Sequence, residues 1–290
     1  MTHTDPRWID EHGNTIDEDH RGLVYDIRTL VDRRRALGIF GGIGLTTLLA
    51  ACTPTQDPES SAAASSSASA TSTPSATAEA SGPMTEVPDE TGGPFPADGS
   101  NGVNVLDDSG IVRSDIRSSF GSSTAVAEGV PLTIELTVRD AATGSALAGA
   151  GVYLWHCDRD GDYSLYSSGL ENVNYLRGVQ ETDAMGTVRF TSIYPACYSG
   201  RWPHIHFEVY SDVANAVASG PIVKTSQIAL PEEVNAFVYA TAGYEQSVQN
   251  VSQVSLAGDN VFGDDGGIHQ IATMSGSVAG GYTAALAIGV

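Results

Sequence analysis

The decapeptide "PLTIELTVRD", residues 131–140, alternates apolar and polar side chains. Leu132, Ile134, Leu136 and Val138 recur at every second position, the pattern of a β-strand with one buried face. Four further stretches are rich in β-branched or aromatic residues and predict strands: "AGVYLWHCD" (150–158), "GTVRFTSIY" (186–194), "HIHFEVY" (204–210) and "PIVKTSQIAL" (221–230). Only residues 231–247 suggest a short helix. Short strands between Gly-rich turns predict an all-β fold, a β-sandwich of mostly antiparallel strands with long loops.

Composition divides the 290 residues into three parts. Residues 1–52 read as a signal segment, and residues 53–88 are Ser, Ala and Thr-rich and read as a disordered tether. Residues 89–290 carry the strand patterns and, at roughly 200 residues, can bury one sizeable core. After Cys52 the chain has 27 acidic and 8 basic residues. Nucleic acid is therefore excluded as a partner, because binding it requires a basic surface.

The signal segment ends in "DRRRALGIFGGIGLTTLLAAC", residues 32–52. Basic residues, an apolar run and small residues follow one another as in an export signal, and the run is short for a membrane span of about 20 residues. The end resembles a bacterial lipobox, and Arg33–Arg35 loosely resemble a twin-arginine signal. We expect an exported, extracytoplasmic lipoprotein whose membrane contact is lipidated Cys52, on the outer face of the bacterial cell membrane. An uncleaved membrane anchor is the alternative.

The stretch "YPACYSGRWPHIHFEVY", residues 194–210, places several possible metal ligands together. On a strand, His204 and His206 point to the same side, although two surface histidines would show the same spacing. Tyr198 precedes His204 by six residues across a turn with Gly200 and Pro203. Phenolate is a poor ligand for the usual zinc site but suits ferric iron, which stabilises anionic oxygen ligands. The pattern therefore predicts an iron site.

Three segments, "WHCDRDGDYS" (155–164), "YLRGVQETDAMGTVRFTSIYP" (175–195) and "RWPHIHFEVY" (201–210), together resemble the intradiol ring-cleavage dioxygenases, the family of catechol 1,2-dioxygenase and protocatechuate 3,4-dioxygenase. The resemblance extends over residues 89–290. It implies long active-site loops and a mononuclear non-haem Fe(III) centre with the ligands Tyr163, Tyr198, His204 and His206. It also implies catalytic roles for Tyr198, Arg201 and Gln227. The loop before Gln227 is longer than in typical catechol dioxygenases.

The implied activity is that of an oxidoreductase in aromatic compound catabolism. A catechol-type diol would be cleaved by O2, with both oxygen atoms incorporated, to a cis,cis-muconate-type diacid. Tyr198 would leave the metal as substrate binds and accept a proton, while Arg201 would stabilise developing negative charge. One alternative is zinc or copper chemistry on a similar sandwich. The other is a non-catalytic lipoprotein that binds aromatics or wall polymer. The particular diol and the oligomeric state stay open.

The remaining candidate residues have simpler interpretations. Cys157 and Cys197 form either a disulfide in an oxidising compartment or two buried thiols. His156 is expected to be a hydrogen-bonded core histidine, and His269 to be structural or exposed. Arg177 could line the site or pair with a carboxylate. Three tyrosines without the matching motif context are expected to be packing or rim residues: Tyr166, Tyr175 and Tyr194.

The lipobox assignment predicts that Cys52→Ala releases the protein from the membrane fraction without changing its activity, because the tether separates the anchor from the folded domain. Cells that express the unaltered protein or the Cys52→Ala variant are fractionated. Immunoblotting and an activity assay of the fractions then measure both effects. A Cys52→Ala chain that stays in the membrane fraction would show that lipidation at Cys52 is not what holds it there.

Overall fold

The computed structural model describes residues 82–290 as two facing four-stranded β-sheets. The strands, in chain order, are β1 Pro131–Arg139, β2 Gly151–Trp155, β3 Arg177–Glu181, β4 Thr187–Ile193, β5 His204–Tyr210, β6 Ile222–Ala229, β7 Thr273–Ser277 and β8 Gly281–Gly289. The first sheet has the order β4-β1-β8-β7 and the second the order β3-β2-β5-β6. Neighbours are antiparallel except the parallel pair β1 and β8. The predicted β-sandwich of mostly antiparallel strands is confirmed.

The core lies between the sheets, where the alternating residues of β1 meet those of the second sheet. Leu132, Ile134, Leu136 and Val138 are all buried, and the residues between them are partly exposed. From the second sheet, the same hydrophobic cluster takes alternate residues of three strands: Val152, Leu154, Ile205, Phe207, Val209 and Ile228. Burial of this size is the main favourable contribution to folding, and it fixes which side chains of β5 face inward.

The outer face of the second sheet is also covered, so β2 and β5 are buried on both faces. Tyr153 and Trp155 on this face pack in a second cluster with Leu106 and Ile111, which come from the segment before β1. Successive strand residues alternate between faces, and Ile205 and Phe207 take the inner one. His204 and His206 therefore lie on the outer face, beneath the covering loops.

The sequence patterns did not predict three of the strands, β3, β7 and β8. The central strand β8 consists mainly of Gly, Ala and Thr around Tyr282, and its alternation is weak. It forms because β1 and β7 supply hydrogen bonds on both sides, a tertiary effect that outweighs low β propensity.

The expected helix over 231–247 is two helices, α2 Glu232–Tyr239 and α3 Glu245–Val251, and α1 Val213–Val217 precedes them. A short 3-10 helix covers Leu256–Gly258.

Cys157 and Cys197 are both free and buried, so the thiol alternative holds in this structure. The Cys157 Sγ lies 3.7 Å from the Ala196 carbonyl oxygen, and the Cys197 Sγ lies 3.5 Å from that of Arg201. Burial raises the pKa of both thiols, that of Cys197 to about 12. Both side chains act as small apolar packing groups.

The described part begins just before the predicted domain start at residue 89. Met84 donates a backbone hydrogen bond to Ala141 and Val87 donates one to Gly289, so residues 84–87 already pair with the first sheet. Within residues 82–290, none of the helices has the length and apolar character needed to cross a bilayer. The predicted signal segment, lipidation at Cys52 and most of the tether lie outside the described residues.

Candidate metal centre

The two histidines of β5 point their ring nitrogens at one another. The Nε2 atoms of His204 and His206 are 3.1 Å apart. His204 Nδ1 lies 2.6 Å from the Trp202 carbonyl oxygen. Because a carbonyl oxygen can only accept, Nδ1 carries the proton and Nε2 is left with a lone pair. Burial, followed by the nearby charge of Arg201, keeps the pKa of His204 well below its usual range. The ring is therefore neutral, the form that binds metals.

His206 is held by its neighbour across the sheet. Trp155 is its register partner on β2, and the two rings stack at 4.9 Å with 4° between their planes. The His206 ring is buried, its Nδ1 has no hydrogen-bond partner, and burial keeps its pKa well below the usual range. Stacking on a large rigid ring fixes the plane in which Nε2 points.

Tyr198 comes from the loop between β4 and β5, and its hydroxyl reaches the histidine pair. The Tyr198 Oη is 3.2 Å from His204 Nε2. The side chain is only half-buried. Gly161, at φ +95°, packs against it, and a Cβ there would lie 3.1 Å from the Tyr198 Cβ. The left-handed backbone and the close approach both favour glycine at this position.

Tyr163 comes from the long loop between β2 and β3 and completes the group. Its ring meets that of Tyr198 edge-on at 6.0 Å and that of His206 at 6.3 Å. The side chain is 2% exposed. Its hydroxyl has no hydrogen bond of normal geometry, although Tyr198 is close enough to affect its pKa. Burial, then Tyr198, keeps the pKa of Tyr163 well above its usual range.

This arrangement fits a metal ion held by two phenol oxygens and two imidazole nitrogens. Donors bound to one ion at about 2.0–2.1 Å lie roughly 3 Å apart, the separation found at His204 Nε2. A buried hydroxyl without a partner, as on Tyr163, is costly unless another group satisfies it. Across residues 82–290, no three His, Cys, Asp or Glu side chains are placed to hold a metal. The histidine pair is accompanied by phenol oxygens instead.

Arg201 and Gln227 lie beside this group and are bonded to each other. Gln227 is the register partner of His206 on β6, and its Oε1 accepts a hydrogen bond of 2.8 Å from Arg201 Nη2. Its amide nitrogen donates to the Thr91 carbonyl. Arg201 is almost fully buried, and its charge contributes to lowering the pKa of both histidines. The structure thus places all six residues singled out from the sequence in one neighbourhood.

Sequence reasoning missed Asp259, the carboxylate partner of Arg201. The Arg201 Nε lies 3.0 Å from Asp259 Oδ2, and both side chains are completely buried. The other Asp259 oxygen accepts hydrogen bonds from the backbone amides of Val261 and Phe262. The two partners are 58 residues apart, and no local pattern links them. A buried carboxylate would have been the only signal, and burial at this position is not readable from "AGDNVF".

Phe95 and Glu90 were also missed, on the segment that precedes β1. The Phe95 ring packs at 4.9 Å from that of Tyr163 and forms one wall of the group. Glu90 is 3% exposed, and burial, followed by Asp264, raises its pKa to about 8. Its pKa is affected by the charge of Arg201, which places it near the same region.

The residues expected to be structural are bonded away from the metal-ligand candidates. His156 is buried between Ser192 Oγ and the Cys157 carbonyl, each 2.7 Å from a ring nitrogen, as expected of a core histidine. The three tyrosine hydroxyls have their own partners: Tyr166 with Asn101, Tyr175 with Asp158 and Tyr194 with Asn235. His269 is partly exposed. Arg177 forms no ion pair with a carboxylate of the described part.

Residues 117–218 match the family model described as "Dioxygenase". A chlorocatechol 1,2-dioxygenase of Pseudomonas putida is 36% identical over 100 residues, which are 28% of this chain and 38% of that protein. An intradiol ring-cleavage dioxygenase structure from Tetranychus urticae matches with a TM-score of 0.53 and 25% identity, over 63% of this chain and 87% of that one. Over these parts, the chain is similar to intradiol ring-cleavage dioxygenases in both sequence and fold.

The family model and the site overlap closely. Residues 117–218 include all four ligand candidates and Arg201, whereas Gln227 and Asp259 lie beyond the matched segment. The matched part of the Pseudomonas putida protein is little more than a third of its length. The activity of this chain is therefore proposed from its own residues.

The buried pair of Arg201 and Asp259 predicts a large loss of stability on Asp259→Asn. The change removes one partner of a buried ion pair, which typically costs about 3–5 kcal/mol. Urea denaturation, followed by tryptophan fluorescence, measures the free energy of unfolding. Glu135→Gln is the matched control, because it breaks an ion pair of 2.6 Å with the mostly exposed Arg189 and should cost at most about 1 kcal/mol. Equal losses in the two variants would contradict the prediction.

Proposed function

We propose that this protein is an Fe(III)-dependent dioxygenase that cleaves a catechol-type diol between its two hydroxylated carbons. Both atoms of O2 enter the product, a cis,cis-muconate-type diacid, so no other oxidant or reductant is consumed. The observation that carries the proposal is the meeting of two phenols with two neutral imidazoles on the buried outer face of β5. We propose that it acts outside the cytoplasm, on the strength of the export signal in residues 32–52.

The four residues Tyr163, Tyr198, His204 and His206 would hold the metal. When bound, Fe(III) would stabilise phenolate and catecholate oxygens and draw electron density from the diol, which makes the ring reactive toward O2. The imidazoles are preset for this role, since His204 has a fixed tautomer and His206 a fixed ring plane. Such fixed partners behind the ligands are a general feature of metal sites.

The two tyrosines differ in a way that supports different roles. Tyr163 is almost completely buried beneath Phe95, whereas Tyr198 is half-buried and is followed by the partly exposed residues Ser199 and Gly200. Gly200 adopts a φ of +83°. Tyr198 is therefore the side chain with room to move when a diol arrives. Its Oη would accept a proton from the diol, while Tyr163 stays in place.

Arg201 would hold a fixed positive charge beside the reacting ring. Its Nε and Nη2 are held by Asp259 and Gln227, so the guanidinium cannot turn. A preorganised charge in a buried site stabilises developing negative charge without a reorganisation cost. Gln227 would keep the guanidinium plane fixed relative to His206, its neighbour across the sheet.

The proposal predicts that the purified chain, loaded with iron, becomes red to burgundy through tyrosinate-to-Fe(III) charge transfer. With a panel of catechols, it should consume one O2 for each diol and form a diacid. Metal analysis, visible spectra, an oxygen electrode and mass spectrometry of the product measure these outcomes. A protein that stays colourless and inactive after iron loading would overturn the proposal. Diol binding without turnover would favour a non-catalytic binding protein. Activity with zinc or copper alone would favour zinc or copper chemistry on the same fold.

The two tyrosine roles predict different effects of Tyr198→Phe and Tyr163→Phe. Tyr198→Phe should keep iron and some colour, but lose activity by about 100- to 10,000-fold, the usual contribution of a general base. Tyr163→Phe should weaken iron retention and alter the spectrum of the anaerobic catechol complex, because Tyr163 is the phenolate expected to persist there. Visible spectra with and without catechol, together with initial rates, separate the two.

Tyr166→Phe is the matched control for this pair. Its hydroxyl bonds to Asn101 and the Ala97 amide, outside the group of four, so the charge-transfer band should be unchanged. If the Tyr163→Phe complex keeps the wild-type spectrum and the Tyr198→Phe complex loses its band, the roles are reversed. If neither variant changes the band, neither tyrosine is a ligand.

A further inference from the structure

Arg177, the first residue of β3, is a buried cation without a carboxylate partner in residues 82–290. It is 1% exposed. Its guanidinium donates hydrogen bonds to Ser164 Oγ at 3.0 Å and to the Ser164 carbonyl at 2.9 Å. It also donates to the Pro96 carbonyl at 3.0 Å and to the Tyr153 hydroxyl at 3.1 Å. Burying an unpaired charge is unfavourable, and the four hydrogen bonds offset that cost.

These hydrogen bonds join the two segments that surround Tyr163. Ser164 follows Tyr163 directly, and both its carbonyl and its hydroxyl bind Arg177. Pro96 follows Phe95, whose ring packs on Tyr163. The guanidinium carbon also lies 5.5 Å from the ring centre of Tyr166, which Phe95 contacts as well. Arg177 thus links the residue after Tyr163 to the residue after its packing partner.

Tyr163 has no anchor of its own at the hydroxyl end. Its hydroxyl lacks a hydrogen bond of normal geometry, and its backbone amide is bonded only to the nearby Ser167 Oγ. Leu165, two residues on, has a φ of +72°, a left-handed conformation that costs energy in a residue other than glycine. Contacts from outside the turn therefore help to hold it. Arg177 donates two hydrogen bonds to Ser164, and the Ser164 hydroxyl donates one to the Tyr175 carbonyl.

We propose that Arg177 is a positioning residue that sets where the Tyr163 phenol meets the proposed metal. The inference rests on the proposed function. Arginine is required because its planar fork of donors reaches acceptors on both segments and on Tyr153 at once. Lysine has a single nitrogen and cannot reproduce this geometry. Arg177 forms no hydrogen bond with the histidines or Tyr198, although its charge contributes to lowering the pKa of His206. Its hydrogen bonds to the active-site loops are made to the two segments around Tyr163.

Arg113 offers a matched control for a purely structural role. It too donates to backbone carbonyls, those of Arg177, Asn174 and Ser118. It packs on a ring as well, with its guanidinium carbon 4.7 Å from the centre of Phe120. It reaches neither Ser164 nor Pro96. Two of its bonds go to the backbone carbonyl of Arg177, but none goes to the segments around Tyr163. Loss of Arg113 should therefore lower stability while the Arg177 guanidinium keeps its own bonds to those segments.

The test compares Arg177→Met, Arg177→Lys and Arg113→Met, each alone and combined with Tyr198→Phe. In the Tyr198→Phe background, the charge-transfer band reports Tyr163 alone. Both Arg177 variants should shift or weaken this band and lose iron to a chelator more readily, by the roughly 10- to 100-fold typical of residues that orient a metal ligand. Arg113→Met should lower the melting temperature but keep the band and the iron affinity. Visible spectra, chelator competition and thermal denaturation supply the three readouts.

The outcomes separate this inference from the proposed function. If Arg177 and Arg113 variants keep the same band and iron affinity, Arg177 is only structural and the inference falls. If the iron-loaded wild type itself has no band, the proposed function falls and takes the inference with it. Should Arg177→Met not fold, Arg177→Lys and Ser164→Ala decide. Ser164→Ala removes one acceptor of Arg177 together with the Ser164 bond to the Tyr175 carbonyl, and leaves the bond from Arg177 to the Ser164 carbonyl. It should shift the Tyr163 band in the same direction by a smaller amount.

Discussion

The hydrogen bond between His204 Nδ1 and the Trp202 carbonyl is the contact on which the candidate centre depends. It fixes the tautomer of His204 and leaves the Nε2 lone pair facing His206 Nε2 and Tyr198 Oη. Tyr198 Oη and His206 Nε2 thereby lie 3.2 and 3.1 Å from His204 Nε2 in a buried place, distances that suit either hydrogen bonds or shared ligation of a metal ion. The same geometry suits a metal ion placed among the three atoms, as the proposed function requires.

The fold supplies the conditions for that contact through the two faces of β5. Ile205 and Phe207 are required in the core between the sheets, so His204 and His206 are forced to the opposite face. In a sandwich with bare outer faces, these histidines would be solvated. Here the loops that follow β2 and precede β1 cover them and bring Tyr163 and Phe95 with them. The same layer of loops thus buries the site and supplies Tyr163, one of its two tyrosines.

This division explains how far the sequence could predict the structure. The alternation in β1 and the His-x-His spacing in β5 are local, and both are readable from neighbouring residues. Tyr198 is also local to β5, whereas Tyr163 could be assigned only through the family resemblance. Asp259 accepts a hydrogen bond from Arg201, which is 58 residues away in the sequence. Arg177 donates one to Pro96, which is 81 residues away. No short-range pattern records such contacts, because they arise when loops close over a sheet.

Charge balance gives the last constraint on the ion that this site would hold. Arg201 is neutralised by Asp259, so that pair adds a local dipole more than a net charge. Burial keeps both imidazoles neutral and opposes ionisation of Tyr163. Removing protons from two such phenols places two negative charges in a poorly solvated region, which a strongly charged cation must offset. A trivalent ion would offset them better than a divalent one, which agrees with the ferric iron of the proposed function.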